Sequence, residues 1–499
     1  MPVMPRPNIL FLFTDQHALA AVGCYGETPC RTPHLDRLAA EGVRFQTAYT
    51  TCPVCTPARA TIMTGLYPHA HGMCCNVEDL GCSVHEIVDR PQLLSRRLQA
   101  AGYRCGYTGK WHLGTDREIM YGAPNVPALP RDVGFEGQQF AGHGNGGFHY
   151  TEYQQYLAAH GWRHKLKPKD DGKPYHAWNY GVLEGPTEST VPYFLAEHTI
   201  GLIDRFRAQG EPWFIWHNFW GPHNPYWVPE EWIDLYRGVE IPEWPSYRYE
   251  AARVNRPFQV KRHTHADALT WADWAEAIRY YYAFTTLIDA QIGRILAHLD
   301  ETGQRENTVI VFAADHGETL GTHGGLTDKG WHHFEEIQRI PFIVWLPPRL
   351  RGEFEAAPQP GAVLQEWASL ADVYPTFLDL AGAEWDPEAA HGRSLLPLLR
   401  GQAVEWPEET VVEFFGVNSL VSTMVSIRRG RYKYGWNAPS QDDLYDLEAD
   451  PYELRNLADD PAHAATLREM RAALGEWFVK TGFQGLGYYR RSRLGEFPY

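Results

Sequence analysis

The feature that most restricts the fold of this chain is a grammar repeated through its first three-quarters: an amphipathic helix, a glycine or charged break, then a short apolar strand ending in polar residues. Pro33 to Glu41 leads into Val43–Phe45, and Gln92 to Ala101 leads through Gly102 into Tyr103–Thr108. Phe194 to Arg207 leads into Trp213–His217, and a long helix from about Trp271 to Leu299 leads through Gly303 into Val309–Ala314. Helices alternating with buried strands predict an α/β fold, a large mostly parallel sheet sandwiched by helices. Such sheets collect ligands beyond the carboxyl ends of their strands.

That rule says where polar residues should be functional. Ile9–Thr14 ends in Asp15 and Gln16, Tyr103–Thr108 in Gly109, Lys110, Trp111 and His112, Trp213–Phe219 runs toward His223, and Val309–Ala314 ends in Asp315 and His316. Four strands therefore deliver carboxylates, histidines and a lysine to one edge. Asp15, Gln16, Asp315 and His316 together offer two carboxylates, an amide oxygen and an imidazole. Hard divalent cations take such oxygens, and the imidazole also admits manganese or zinc. One aspartate at a strand end more often caps the next turn; two at neighbouring ends favour a metal.

With 499 residues, 44% hydrophobic and 21% charged, the chain is globular and long enough for a large core. A formal charge of −16 argues against nucleic acid or an anionic membrane as partner, since both need broad basic surfaces. The apolar run Asn8–Thr14 is short, lacks a small-residue cleavage site and ends on Asp15, so it reads as a buried strand rather than a signal peptide. No stretch approaches the roughly 18 apolar residues of a membrane span, and a cytoplasmic location is expected. All eight cysteines lie in the first 105 residues and are expected as free thiols, because a chain this size needs no disulfide staples. Two stretches with weak periodicity, 116–192 and 220–257, read as loop-rich insertions over the site. From about residue 400 the texture changes to antiparallel strands and a closing helix, Ala462–Val479. The expected division is a catalytic α/β domain over 1–399 and a smaller α+β domain over 400–499, with a tail from Tyr488.

Cys52 and Cys55 form a Cys-x-x-Cys pair, but zinc would want a second pair at a suitable spacing and a thioredoxin-like role would want a small domain. The run Cys55-Thr56-Pro57-Ala58-Arg59, followed by Thr64 and Gly65, resembles the signature of the type I, formylglycine-dependent sulfatases, where Cys-x-Pro-x-Arg directs oxidation of the cysteine. Further motifs follow in order: Gly109–Gly114, Pro222–Pro225, Asp315–Glu318 with Gly321 and His323, Lys329 ahead of Phe334–Pro341, and Leu444–Pro451. The resemblance covers nearly the whole chain and implies an alkaline-phosphatase-like fold.

Carried over residue by residue, the resemblance makes Cys55 the formylglycine nucleophile and Asp15, Gln16, Asp315 and His316 its companions on a metal, calcium first and manganese second. Arg59 and Lys110 would orient the aldehyde hydrate and neutralise charge. His112 would help release sulfate, and His223 and Lys329 would stand beside the leaving group. The implied reaction is hydrolysis of an organic sulfate monoester, with a carbohydrate sulfate as candidate and a formylglycine-generating enzyme as maturation partner. Two alternatives stay open: a phosphonate monoester or phosphodiester hydrolase with the same nucleophile, and a non-catalytic binding protein if Cys55 is unmodified. Ala58 stands where many members have Ser. Gln16 and His316 replace the common Asp and Asn, a variant similar to the branch with choline, iduronate and some arylsulfatases and the phosphonate monoester hydrolases. His17, His34, His69, His71 and His217 read as packing or turn residues, and Asn76 as a substrate-side candidate. A homo-oligomer is compatible with the sequence.

Overall fold

The first strand, β1 (Asn8–Asp15), is buried at every position, as an apolar run without alternation requires. In the computed structural model it lies within an eight-stranded sheet. From edge to edge the strands are Ala362–Leu364 (β8), Val43–Phe45 (β2), Phe342–Trp345 (β7), Thr308–Ala314 (β6), β1, Trp213–Pro222 (β5), Arg104–Gly109 (β3) and Glu136–Gly137 (β4). β1 pairs in parallel with both β6 and β5, and only β7 runs against its neighbours. The structure describes residues 6–79, 82–115, 127–168, 180–249, 269–354, 356–418, 420–438 and 440–495.

Because side chains alternate along a strand, β1 feeds two cores. Leu10 and Leu12 join one with the helices α1 (Pro33–Glu41), α4 (Val191–Gln209) and α5 (Trp271–Glu301). Ile9, Phe11 and Phe13 join the other with α2 (Cys55–Thr64), α3 (Leu94–Ala100) and α6 (Val373–Ala381). Both faces are thus covered, which is the predicted sandwich.

Beyond it stands a smaller antiparallel sheet, Glu409–Val417 (β9), Leu420–Arg429 (β10), Tyr432–Ala438 (β11) and Asp443–Asp446 (β12), in that spatial order. The helix α7 (Ala464–Thr481) packs on it through a core that includes Ile427, Trp436, Leu474 and Phe478. The tail turns back on α7, with Tyr489 buried and its hydroxyl donating to the Arg471 carbonyl at 2.7 Å.

The described parts of the two stretches expected as loops carry regular structure. Thr151–Ala159 is helical, and Lys165–Pro168, Tyr180–Glu184 and Tyr226–Val228 form a three-stranded sheet. Strands of three to five residues are too short to show a period. Residues 116–126, 169–179 and 250–257 of those stretches lie outside the described residues. Ahead of α6, Ala368 and Ser369 pair in parallel with Ala48 and Tyr49. All eight cysteines are free thiols, and among the described residues no helix is long and apolar enough to cross a membrane.

Candidate active site

Cys55 is the first residue of α2, a helix in which every residue from Cys55 to Met63 is buried. Pro57 fits the first turn, where its missing N–H has no helical partner to lose. Gly65 ends the helix in the left-handed region at φ 72°, and a Cβ there would stand 2.7 Å from the Tyr374 ring, so both conformation and space call for glycine. The start of the helix is pinned by Asn76, whose Oδ1 accepts from the Thr56 N–H at 3.2 Å, and by the Thr56 hydroxyl donating to the His112 carbonyl at 2.7 Å. Asn76, a substrate-side candidate in the sequence, therefore serves the helix start.

Arg59 lies one helical turn beyond Cys55, on the same face. Its Nη2 donates to Asp15 Oδ2 at 2.8 Å and to Asp315 Oδ2 at 3.2 Å, and its Nη1 to Asn218 Oδ1 at 2.7 Å and the Lys110 carbonyl at 3.1 Å. The guanidinium also lies over the Phe13 ring. Arg59 braces the two strand-end carboxylates from behind. Lys110 follows Gly109, where φ is 91° and a Cβ would meet the Asn218 carbonyl at 1.8 Å; its Nζ stands 2.7 Å from Asp15 Oδ2.

With the Oδ2 atoms so occupied, the Oδ1 atoms turn toward the thiol and imidazole. Asp15 Oδ1 lies 3.7 Å from Cys55 Sγ, and His316 Nε2 lies 3.4 Å from Cys55 Sγ and 3.5 Å from Asp315 Oδ1. Asp15, Cys55, Asp315 and His316 each offer one ligand-type atom, all within 4.8 Å of one another. His316 Nδ1 is 3.0 Å from the Gly317 carbonyl. Nδ1 must then carry the proton, which leaves Nε2 as a bare donor toward the cluster, the tautomer a metal needs. The chemistry of this buried set fits a divalent cation.

Burial alone would push both carboxyls up. At Asp15 the charges of Lys110, His223, Arg59 and Lys329 overcome it and hold the group well below the ordinary range. At Asp315 burial and the Asp15 charge prevail, and the carboxyl rises to about 7. Burial and Asp15 also oppose ionisation of Cys55, but Lys110 and Lys329, with His112 beside them, outweigh these and hold the thiol well below its usual value. The site is cationic enough to stabilise an anion at position 55.

The remaining predicted residues close around the cluster. Gln16 Oε1 accepts from Lys329 Nζ at 2.5 Å, its amide nitrogen donates to Glu318, and its backbone N–H donates to Asp315 Oδ1 at 2.9 Å. Burial, followed by Lys329, depresses His223 to about 4, and its Nδ1 lies 2.6 Å from the Asn224 carbonyl. His112 Nε2 meets Glu78 Oε2 at 2.7 Å. Its Nδ1 has no other partner and faces the thiol. Non-glycine residues at positive φ recur here, Gln16 at 59° and His112 at 56°, and such conformations gather at functional sites because the surroundings hold them. His17 and His217 are buried and far below their usual pKa through burial, as packing histidines should be.

Four residues that the sequence reading left out take part. Glu78 holds His112 and also accepts the His143 N–H at 3.1 Å. The His143 ring lies between His112 and His223, with centroids 5.3 and 4.9 Å away. Asn218 anchors Arg59, and Glu318 accepts the N–H groups of Thr319, Leu320 and Asp328, shaping the loop that carries Lys329. Glu318 alone had a signal, its place in the Asp315–Glu318 motif.

A family model for sulfatases matches residues 7–383, and one for the C-terminal part of N-sulphoglucosamine sulphohydrolase matches residues 321–480. The sulfatase YidJ of Escherichia coli strain K12 is 30% identical, over 96% of this chain and 88% of its own length. N-acetylglucosamine-6-O-sulfatase of Bacteroides thetaiotaomicron is 26% identical over 94% of this chain and 86% of its own. Among solved structures, the phosphonate monoester hydrolase of Agrobacterium radiobacter superposes with a TM-score of 0.75 at 25% identity, covering 96% of each chain. Matched over most of its length, with the signature cysteine at the first turn of α2 and the strand-end carboxylates around it, this chain belongs to the sulfatase family of the alkaline phosphatase superfamily and is a sulfuric ester hydrolase.

Proposed function

We propose that the enzyme hydrolyses a carbohydrate sulfate monoester with formylglycine at position 55 as nucleophile, on a divalent ion held by Asp15, Gln16, Asp315, His316 and residue 55 itself. The observation that carries this reading is the convergence of two carboxylate oxygens, a bare imidazole nitrogen and the Cys55 side chain within 4.8 Å. Calcium is the first choice for so oxygen-rich a set, and manganese is the second because of His316. Cys55 Sγ stands in for the oxygens of the matured side chain. Maturation requires a formylglycine-generating enzyme, which makes that enzyme a partner. Eight free thiols support a reducing compartment, the cytoplasm.

Once hydrated and bound, formylglycine brings two hydroxyls on one carbon, one to attack sulfur and one to lose a proton as sulfate departs, while the cation draws charge from the ester oxygens. The chain's own groups do the rest. Glu78 accepts from His112 Nε2–H and so leaves Nδ1 as the base facing position 55. Lys110 and Lys329 offset the charge that grows on the transferring group, where preorganised cations count most. His223 keeps Nδ1–H on the Asn224 carbonyl and moves a proton at Nε2 to the leaving oxygen. An anionic ester beside Lys329 offsets the cation that depresses His223, so substrate binding raises its proton affinity toward the working range.

The N-acetylglucosamine-6-O-sulfatase named above, a protein acting on a sugar sulfate, supports carbohydrate as the substrate class. The likeness to a phosphonate monoester hydrolase supports a second reading, phosphonate monoester hydrolysis by the same nucleophile. Mass spectrometry of the Cys55 peptide, from protein made together with the maturing enzyme, should find the aldehyde; an intact thiol sinks the reading. Parallel rates on an aryl sulfate and an aryl phosphonate monoester decide between the two, and faster phosphonate turnover reverses their order. Chelation with EDTA should remove activity, with calcium or manganese restoring it.

A further inference from the structure

The helix that starts at Cys55 ends at Thr64, and just beyond it Tyr67 walls a second cavity. The helix has ten residues, so about 15 Å of backbone separates that wall from the nucleophile. The cavity encloses about 760 Å³ between the segment 367–397, the start of β9 and α7, within the roughly 300–1,000 Å³ usual for small-molecule sites. No step of sulfate ester hydrolysis uses it.

Its walls carry Trp367, Trp385, Trp406 and Trp477, all only half-buried. A seam that merely packed would close over such rings, since indoles bury more apolar area than any other side chain. Their orientations are fixed. Trp385 Nε1 donates to Asp379 Oδ1 at 2.7 Å, Trp406 Nε1 donates to the Trp367 carbonyl at 2.8 Å, and Trp477 meets Tyr67 edge to face at 4.9 Å. With the N–H groups of Trp385 and Trp406 spent on the protein, those rings have only their faces to offer a ligand.

The charge of the rim selects among occupants. Glu388, Glu405 and Glu476 are exposed on it against Arg393 and Lys480, and the balance, with buried Asp372 behind, repels sulfate and carboxylate groups. We infer that this cavity binds a non-anionic sugar unit, neutral or amine-bearing, whose C–H faces lie on the indoles and whose hydroxyls or amines reach the rim carboxylates. The site lies apart from the hydrolytic centre and requires no matured Cys55.

Calorimetry on the full chain, with β-1,4-linked glucosamine tetrasaccharide and its N-acetylated counterpart as probes, tests the inference. At least one should bind with a Kd below about 1 mM. Trp406→Ala should weaken it about tenfold or more, equivalent to about 1.4 kcal/mol, and Glu405→Gln by a smaller factor, while both variants hydrolyse a small aryl sulfate at the parent rate. If Trp406→Ala melts early, Glu405→Gln, a nearly isosteric change at an exposed residue, decides. Failure of both sugars to bind at about 10 mM, or binding that neither substitution weakens, overturns the inference. Because the readout is binding, either result stands whether or not the enzyme is matured.

Discussion

Two charge clusters draw on the two ends of the segment 315–335, Asp315 in one and Glu335 in the other, and they are built from the same residue types to different ends. Around Cys55, Arg59 and Lys110 occupy one oxygen of Asp15, and the other oxygen faces the thiol. Where the smaller sheet meets the large one, Lys433 Nζ reaches Glu335 Oε1 at 2.9 Å and also pairs with Glu453, while Arg428 Nη1 and the Tyr49 hydroxyl reach Glu335 Oε2 at 3.2 and 2.7 Å. The side chains of the first are fully buried, and those of the second largely so. In the first, ligand-type atoms of two carboxylates, a thiol and an imidazole gather within 4.8 Å of one another; in the second, carboxylates meet only cations and a hydroxyl. Burial and perturbed titration are common to both, so neither marks a catalytic site without that difference. Among the described residues, only the first cluster gathers metal-ligand atoms.

The comparison breaks most visibly at position 55. Cys55→Ala should cost roughly 10⁵-fold or more in turnover, as loss of a nucleophile does, with a melting curve close to the parent's. A variant that keeps its rate removes the cluster's claim to chemistry. His223→Gln comes next, at about 10²–10⁴-fold on an alkyl sulfate and much less on a nitrophenyl sulfate, whose leaving group needs little protonation. Equal losses on both substrates would argue that His223 positions the ester rather than protonating its leaving oxygen. At the seam the expectation inverts: Lys433→Met should leave turnover per folded molecule intact and lower stability by about 3 kcal/mol in urea titration, because two buried carboxylates lose their shared cation. A stable but inactive Lys433→Met would contradict the division of labour.

How much of this was legible in the sequence depends on whether a residue's role is local. Strand-end Asp15, Lys110, His223 and Asp315 were legible because β1, β3, β5 and β6 read as strands in the sequence, and parallel pairing brings their ends to one edge. The signature helix was legible from five residues. Glu78 and His143 were not, because they reach the site through stretches without a period, and only the folded path brings Glu78 to His112 across 34 positions. Asn218 sits inside β5 and looks like one polar residue in an apolar strand until Arg59 is seen to need an acceptor. Lys433 and Glu453 come from the smaller sheet and the turn after it, and no spacing announces that they meet Glu335.

The finest test of the seam is its response to pH. Burial raises Glu453 to about 8, with Lys433 opposing and the neighbouring Glu335 charge adding to the rise. Glu335 goes the other way, held to about 2 by Lys433, Arg428 and Arg339 against burial. Glu453 therefore binds its proton more tightly folded than unfolded. Its contribution is fully present below the unfolded value of 4.5 and is lost as pH rises toward 8. Glu335 contributes above 4.5 and loses that contribution as pH falls toward 2. Glu453→Gln fixes the protonated form's charge without changing volume, so it should flatten the decline in urea stability between about pH 5 and 8 by on the order of 1 kcal/mol, leaving the acid limb set by Glu335 unchanged. Subtracting the two curves cancels the titrating groups remote from Glu453 and leaves those that feel its charge, Glu335 and Glu336. Parallel curves would mean that Lys433 holds both carboxylates ionised, and that the seam is a balanced triad rather than two acids sharing one proton.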